Sequence, residues 1–255
     1  MITNPQKPET LRKSARDGQF KSSTAGHAPG YLQANLMILP QAQAFDFLLF
    51  CQRNPKPCPL IEVLAPGAVE PSSALGANIA TDVPGYRVYR NGELVGEPDD
   101  VMYLWQPDFV TFLIGCSFSF EDALEQAGIA LRHLEQGRNV AMYRTNITCA
   151  PSGSLSGEMV VSMRPIKSRD VAMVVKISGR YALAHGTPVH IGNPSVIGIA
   201  DLSRPDYGDA VSINEDEVPV FWACGVTPQW VAQSSKLPFC ITHAPGKMFV
   251  TDLKG

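Results

Sequence analysis

Two cysteines of this sequence share one short pattern, C-x-x-S/T-x-E/Q, and each copy follows an apolar run. The fixed positions are Cys116, Ser119 and Glu121 in the first copy and Cys224, Thr227 and Gln229 in the second. Each copy is predicted to open a helix, where free N–H groups and partial positive charge bind carboxylates and lower a thiol's pKa. The repetition predicts two catalytic thiols facing one cleft. Two ordinary strand-to-helix turns with buried cysteines would show the same sequence pattern.

Further polar residues near strand ends and helix starts could bind a substrate. A guanidinium that follows a strand can hold a carboxylate through two parallel hydrogen bonds, although a local salt bridge is the alternative. The predicted substrate-binding residues are Ser117, Ser119, Arg144, Asn146, Arg164 and Thr227.

Two histidines are candidate bases. His243 precedes a proline-glycine turn, so its ring is predicted to project from a loop; His190 ends a short strand in HGTPVH. His185 and His190 are five residues apart around glycine and proline, which excludes the i, i+4 pair of a helical zinc site. A metal site built from these two and Asp201 is an alternative, and satisfied structural histidines are another.

Several familiar signatures are absent from the sequence. It contains no G-x-G-x-x-G, no G-x-x-x-x-G-K-S/T, no G-x-S-x-G and no H-E-x-x-H. Nucleotide cofactors and the commonest serine and zinc hydrolases are therefore disfavoured, and we expect no cofactor.

The composition indicates a globular protein with a small-molecule ligand. The chain has 255 residues, 45% hydrophobic and 18% charged, with 21 basic and 24 acidic side chains. No dense basic tract predicts a nucleic-acid partner, and no apolar run is long enough to span a membrane. Six scattered cysteines fit free thiols better than a disulfide framework. We expect a cytoplasmic protein, with a homo-oligomer as the default assembly.

The spacing of apolar residues predicts a mixed α/β chain. Apolar positions at helical spacing favour a helix from about residue 41 to 53, and Asn91-Gly92 predicts a β-hairpin. Residues 109–115 form a continuous apolar run of strand length. Ser119 has N-cap chemistry for a helix that continues to Gly137, and Thr227 caps another before Pro228. The glycine- and proline-rich segment 193–214 is predicted to be loop.

Longer phrases resemble a known family along almost the whole chain. They are NPKPCPL, IGCSFSFE, MYRTNI, VVSMRPI, HGTPVHIGNP, GIADLSRPDYGD, VPVFWACGVTPQ and HAPGKMFVTD. Together they resemble the hydro-lyase family related to the N-terminal part of mammalian D-glutamate cyclase. The resemblance implies a two-domain α/β fold, with one three-layer α/β/α part and one smaller two-layer α/β part. We assign 1–60, 106–150 and 215–255 to the larger domain, and 61–105 and 151–214 to the smaller.

The resemblance also implies an activity, namely loss of water from D-glutamate to give 5-oxo-D-proline. Mammalian D-glutamate cyclase carries a further C-terminal domain, and we expect this chain to be without it. The leading hypothesis is a carbon–oxygen lyase acting on a small amino or hydroxy acid, with Cys116, Cys224, His243 and His190 as catalytic groups. The alternatives are a regulatory protein that binds a small carboxylic acid without reaction, and a metal-assisted hydrolase.

Overall fold

The computed structural model describes residues 6–255, which form two antiparallel sheets with helices packed on them. The strands are β1 Tyr31–Pro40, β2 Leu60–Val63, β3 Tyr86–Arg90, β4 Glu93–Gly96, β5 Phe109–Gly115, β6 Ala141–Thr148, β7 Glu158–Lys167, β8 His190–Ile191, β9 Glu217–Ala223, β10 Phe239–His243 and β11 Phe249–Lys254. The α-helices are α1 Pro8–Arg16, α2 Gln41–Arg53, α3 Phe118–Gln126, α4 Arg132–Glu135, α5 Val171–Ser178 and α6 Val226–Ser234. The predicted mixed α/β class is confirmed.

The larger sheet is organised around β1. Within residues 6–255 it has seven strands in the order β2-β5-β1-β10-β3-β4, and β11 also pairs with β1. The strand predicted at 109–115 is confirmed as β5, and all seven of its residues are buried. The hairpin predicted at Asn91-Gly92 joins β3 to β4, and Asn91 and Gly92 both have positive φ. Sequence reasoning missed β1, which is the centre of the sheet.

The smaller sheet has the order β6-β7-β9-β8 among the described residues. Strands β7 and β9 form its centre, in register from Val161 opposite Ala223 to Lys167 opposite Glu217. Phe120 and Leu124 of α3 pack on one of its faces, together with Trp222 of β9. Helix α3 therefore follows a strand of the larger sheet but covers the smaller one.

Helix α6 makes the reverse connection. It follows β9 of the smaller sheet, yet Val231 and Ala232 pack with Met37 and Phe112 of the larger sheet. At each copy of the cysteine pattern the chain therefore leaves one sheet and enters a helix that packs on the other sheet. The two copies make this crossing in opposite directions. This arrangement places both strand-to-helix turns in the same region of the molecule.

Strand pairing divides the chain differently from the predicted domain boundaries. Strands β3 and β4, from the segment assigned to the smaller domain, pair in the larger sheet next to β10. Strands β6 and β9, assigned to the larger domain, pair with β7 in the smaller sheet. The reason is that β10, near the C-terminus, supplies the edge on which the β3–β4 hairpin pairs.

The helix predicted from Ser119 to Gly137 is interrupted. Helix α3 ends at Gln126, and Gly128 follows with a φ of +80°, a conformation that glycine adopts without strain. The short helix α4 then starts at Arg132. In the part of the chain that the structure describes, no helix is long and apolar enough to cross a membrane.

Candidate active site

The first copy of the cysteine pattern is fixed to β1 by a pair of hydrogen bonds. The backbone N–H of Cys116 donates to the carbonyl oxygen of Gln33 over 2.9 Å. The backbone N–H of Gln33 donates back to the hydroxyl of Ser119, also over 2.9 Å. Gln33 of β1 therefore holds both Cys116, where the strand-to-helix turn begins, and Ser119, in the first helical turn of α3.

The second copy repeats this arrangement on β7. Cys224 donates its backbone N–H to the carbonyl oxygen of Val160 over 3.0 Å, and the N–H of Val160 donates to the hydroxyl of Thr227 over 3.0 Å. The hydroxyl of Thr227 also donates to the Val160 carbonyl at 3.1 Å. The shared pattern is thus a shared three-dimensional motif that anchors a helix start to the adjacent strand.

These bonds correct the predicted role of the two hydroxyls as helix caps. The N-cap residues are Ser117 for α3 and Gly225 for α6, and neither caps its helix through a side chain. Ser119 and Thr227 are the second residues of their helices. Both are buried, and each hydroxyl oxygen is hydrogen-bonded to the adjacent strand. Both hydroxyls position the turns, and Thr227 uses its donor and its acceptor on Val160 alone.

The two thiols lie in one cluster between the sheets. Cys116 and Cys224 pack with Phe118, Met142 and Met248, and keep 7% and 8% of their surface exposed. Tyr207 and Trp230 border the cluster as half-buried residues. The predicted convergence of the two cysteines is therefore observed, and both retain a narrow contact with solvent.

Asn35 on β1 lies between the two turns. Its side-chain N–H donates to the carbonyl of Gly115 over 2.9 Å, directly before Cys116. A Cβ atom on Gly225, directly after Cys224, would lie only 2.0 Å from the same amide nitrogen. Glycine at position 225 is therefore needed for the close approach of the turns. Sequence reasoning missed Asn35, whose signal is an amide inside an otherwise apolar run.

Burial dominates the electrostatics of both thiols. It raises the pKa of Cys116 well above its usual range and raises the pKa of Cys224 to about 11, although backbone N–H groups at the helix starts and nearby Arg164 act in the opposite direction. The predicted lowering of these pKa values is wrong, because the cost of desolvating a thiolate exceeds the stabilisation from the helix starts. Both thiols are neutral and protonated near pH 7.

A buried ion pair lies beside the thiol cluster. Arg164 of β7 is fully buried, and its Nη2 contacts Glu121 Oε1 at 2.5 Å and Ser117 Oγ at 2.9 Å. The guanidinium is flanked by the rings of Phe120 and Trp222, at 5.3 and 5.4 Å from their centroids. The local salt bridge is thus the observed state of Arg164. Its guanidinium fixes the start of α3.

Glu121 is held as a carboxylate by its neighbours. Burial by itself would raise its pKa, but His133 and Arg164 outweigh burial and lower the pKa to about 2. His133 Nε2 lies 3.0 Å from Oε1, in an alignment too poor for a hydrogen bond. Sequence reasoning noted Glu121 only as a pattern position and missed His133. A charged residue on the apolar face of α3 is the signal for a buried partner.

The equivalent residue of the second copy, Gln229, lies against His243. Its amide nitrogen is 3.1 Å from His243 Nδ1, which accepts the backbone N–H of Leu36 over 3.1 Å. The predicted exposure of His243 on a loop is wrong, since the ring is fully buried at the end of β10. Burial lowers the pKa of His243 to about 3, so this ring remains neutral at pH 7.

Two buried neutral histidines should make the fold sensitive to acid. Burial lowers the pKa of His185 to about 4 and that of His243 to about 3, from 6.5. Below pH 6.5 the unfolded chain binds protons that the folded chain does not, so the free energy of unfolding should fall by about 1.4 kcal/mol per pH unit for each histidine. Urea unfolding between pH 7 and pH 4 measures this slope. His243→Asn, whose amide oxygen can accept from Leu36, should flatten it, and an unchanged slope would contradict the assignment.

The remaining predicted site residues make contacts of their own outside the two turns. His190 is half-buried, with Nε2 2.7 Å from the carbonyl of Asn193. Arg144 is exposed, bonded through Nε to Asp206 over 2.7 Å, and lies 4.6 Å from the ring centroid of Trp230. Asn146 is exposed next to Gly198. Arg144 reaches the edge of the thiol cluster through Trp230, whereas the ring of His190 packs against Phe221 of β9, with 5.7 Å between the ring centroids.

The alternative set of metal ligands is not brought together. His185 is buried, and its Nδ1 lies 2.9 Å from the carbonyl of Lys56. Asp201 is exposed and accepts from Ser203. Over residues 6–255, no group of three histidine, cysteine, aspartate or glutamate side chains could hold a metal ion.

Comparison with known proteins identifies the family. The model of the D-glutamate cyclase family matches residues 110–252, which include both copies of the pattern and the Arg164–Glu121 pair. The chain belongs to the D-glutamate cyclase family. The predicted family resemblance is therefore confirmed, and the site described above lies largely inside the region that defines the family.

Curated relatives of this family match over nearly their full length. A protein of Stutzerimonas stutzeri is 57% identical, covering 97% of this chain and 94% of that protein. One of Bordetella pertussis is 59% identical, covering 95% and 88%. Both are named "Putative hydro-lyase". A nitrogen repressor-like protein of Methanococcus jannaschii, covered to 99% in both chains, gives a TM-score of 0.42 at 9% identity, too low to bear on function.

Proposed function

We propose that this protein is a carbon–oxygen lyase that removes water from a small amino acid, and that its reaction is the cyclisation of D-glutamate to 5-oxo-D-proline. Membership of the D-glutamate cyclase family and the names of the relatives support lyase chemistry. The observation that carries the proposal is the pair of neutral thiols in one cluster, each at the start of its own helix.

The proton balance of the cyclisation fits two thiols. The α-ammonium group attacks the side-chain carboxyl carbon as a free amine, a C–N bond forms, and one carboxylate oxygen leaves as water. The nitrogen loses two protons in all, and the departing oxygen gains two. Because Cys116 and Cys224 both start protonated, each can relay one proton, giving its own to the departing oxygen and taking one from the nitrogen, with no net exchange with solvent.

The protonation states of Cys116 and Cys224 suit this role. A thiol with a raised pKa keeps its proton near neutral pH and is a poor nucleophile, because little thiolate is present. We therefore favour proton transfer over a thioester intermediate. Arg164 acts as a positioning residue because its guanidinium is committed to Glu121 and Ser117. Exposed Arg144 remains able to contact a carboxylate.

A panel of D- and L-amino acids and their lactams tests the proposal. Each compound is incubated with the full chain and analysed by mass spectrometry for loss or gain of one water. We expect D-glutamate to lose water and 5-oxo-D-proline to gain it, with L-glutamate unchanged. Thermal stabilisation by an acid that is recovered intact would favour the regulatory binder instead. No reaction with any compound would contradict the lyase.

A further inference from the structure

A recessed pocket lies between helix α3 and the segment that leads into β1. Its volume is about 50 Å³, room for roughly three to five water molecules and too small for a whole amino acid. The wall is formed by residues 26–31, by Gln33, and by Phe118, Glu121, Asp122 and Glu125 of α3. Neither Cys116 nor Cys224 lines this pocket.

Gln33, one of the lining residues, has an acceptor without a partner in the described part of the chain. Its side-chain nitrogen donates to the carbonyls of Thr24 and His27, both over 3.0 Å. Two carbonyl partners fix the orientation of the amide, so Oε1 is the atom left over. That oxygen is buried and has no hydrogen-bond partner among the described residues, and the residue is only 2% exposed.

Glu121 presents a second such acceptor. Its Oε1 is bonded to Arg164, whereas Oε2 is buried without a partner in the part of the chain that is described. A buried carboxylate oxygen and a buried amide oxygen without donors are each costly to the fold. Both residues line one pocket, where a ligand that carries several N–H donors would satisfy them.

The charge of the pocket favours a cation. Asp122 and Glu125 have no ion-pair partner within residues 6–255, and the only basic side chain in the wall is His27, whose pKa is lowered by burial. Burial and the nearby carboxylates Glu121 and Asp122 raise the pKa of Glu125, a repulsion that a bound cation would relieve. The charge of Glu121 is balanced by Arg164, so Asp122 and Glu125 supply the net negative charge, which outweighs the partial positive charge at the start of α3.

We propose that this pocket binds a primary ammonium group. The carboxylates attract the charge, and the free oxygens of Gln33 and Glu121 accept its N–H donors. An anionic pocket keeps an amine protonated and therefore non-nucleophilic. The site thus adds to the proposed cyclisation and is not the place where the amine attacks, so binding can be measured whether or not D-glutamate is converted.

Thermal shift titrations at constant ionic strength test this site. The probes are methylammonium, which has three N–H donors, tetramethylammonium, which has none, and potassium. We expect saturable stabilisation by methylammonium alone. Absence of any effect, or an equal effect of potassium or tetramethylammonium, would overturn the proposal.

Charge variants on α3 give the second arm. Asp122→Asn with Glu125→Gln removes two carboxylates that make no ion pair, so the variant should fold normally. It should weaken methylammonium binding by roughly fivefold per carboxylate, as expected for a pair energy of about 1 kcal/mol. Glu93→Gln, at an exposed position on β4, is the matched control and should bind like the unmodified protein. Unchanged affinity in the double variant would also refute the site.

Discussion

Replacement of Arg164 by methionine should lower the free energy of unfolding by about 3–5 kcal/mol. The substitution keeps much of the side-chain volume between Phe120 and Trp222 but leaves the carboxylate of Glu121 buried without its main partner. An unpaired buried charge costs far more than the net gain of the intact pair. Urea unfolding monitored by tryptophan fluorescence gives the change.

A double variant separates charge from packing. Arg164→Met combined with Glu121→Gln removes both charges and should recover much of the lost stability, so the double variant should be more stable than Arg164→Met alone. Arg144→Met is the control, since its ion pair with Asp206 is exposed and should contribute about 1 kcal/mol or less. If Arg164→Met lowered the free energy of unfolding no more than Arg144→Met does, the buried ion pair would matter no more to stability than the exposed one.

Replacement of either thiol by alanine should reduce turnover of the true substrate by about 100- to 10,000-fold. Each variant loses one proton carrier, and alanine cannot replace it. Because Cys116 and Cys224 are small and retain slight exposure, the fold should be affected much less than the activity. Steady-state kinetics with D-glutamate should show the loss in kcat with a smaller change in KM.

Cys149→Ala is the matched control for this experiment. Cys149 is also a buried free thiol, 3% exposed, but it packs with α2 in the core of the larger sheet, away from the two turns. The Cys149→Ala variant should turn over substrate at the rate of the unmodified protein. Undiminished activity in both Cys116→Ala and Cys224→Ala would remove the thiols from the mechanism and leave the shared motif with a purely structural role.

Local sequence patterns were sufficient for several elements. Helix α2 and strand β5 follow from apolar spacing, and the β3–β4 hairpin follows from Asn91-Gly92, because short-range sterics and burial decide these features. The repeated pattern around Cys116 and Cys224 also correctly predicted that the two cysteines would be close together. The repetition identifies two equivalent turns before any coordinates are known.

The sequence did not predict the contacts that these turns make with the rest of the chain. Strand β1 was missed because Gln33 and Asn35 interrupt its apolar run. Yet the backbone N–H of Gln33 bonds to Ser119 in the first turn, its side-chain amide bonds to His27 in the pocket wall, and the amide of Asn35 bonds to Gly115 at the crossing. The hydroxyls of Ser119 and Thr227 were assigned to helix caps because only their own helices were considered. Their actual partners lie on strands distant in sequence.

Electrostatics depended most on the tertiary structure. Sequence alone determined the family, the mixed α/β class and the position of two thiols at helix starts, since these depend on local order along the chain. Burial is a property of the packed molecule: it reversed the expected pKa shift of both thiols and kept His243 neutral. It also turned Arg164 from a candidate ligand-binding group into the partner of Glu121. Desolvation energy arises only when distant segments close over a group, and no local pattern contains it.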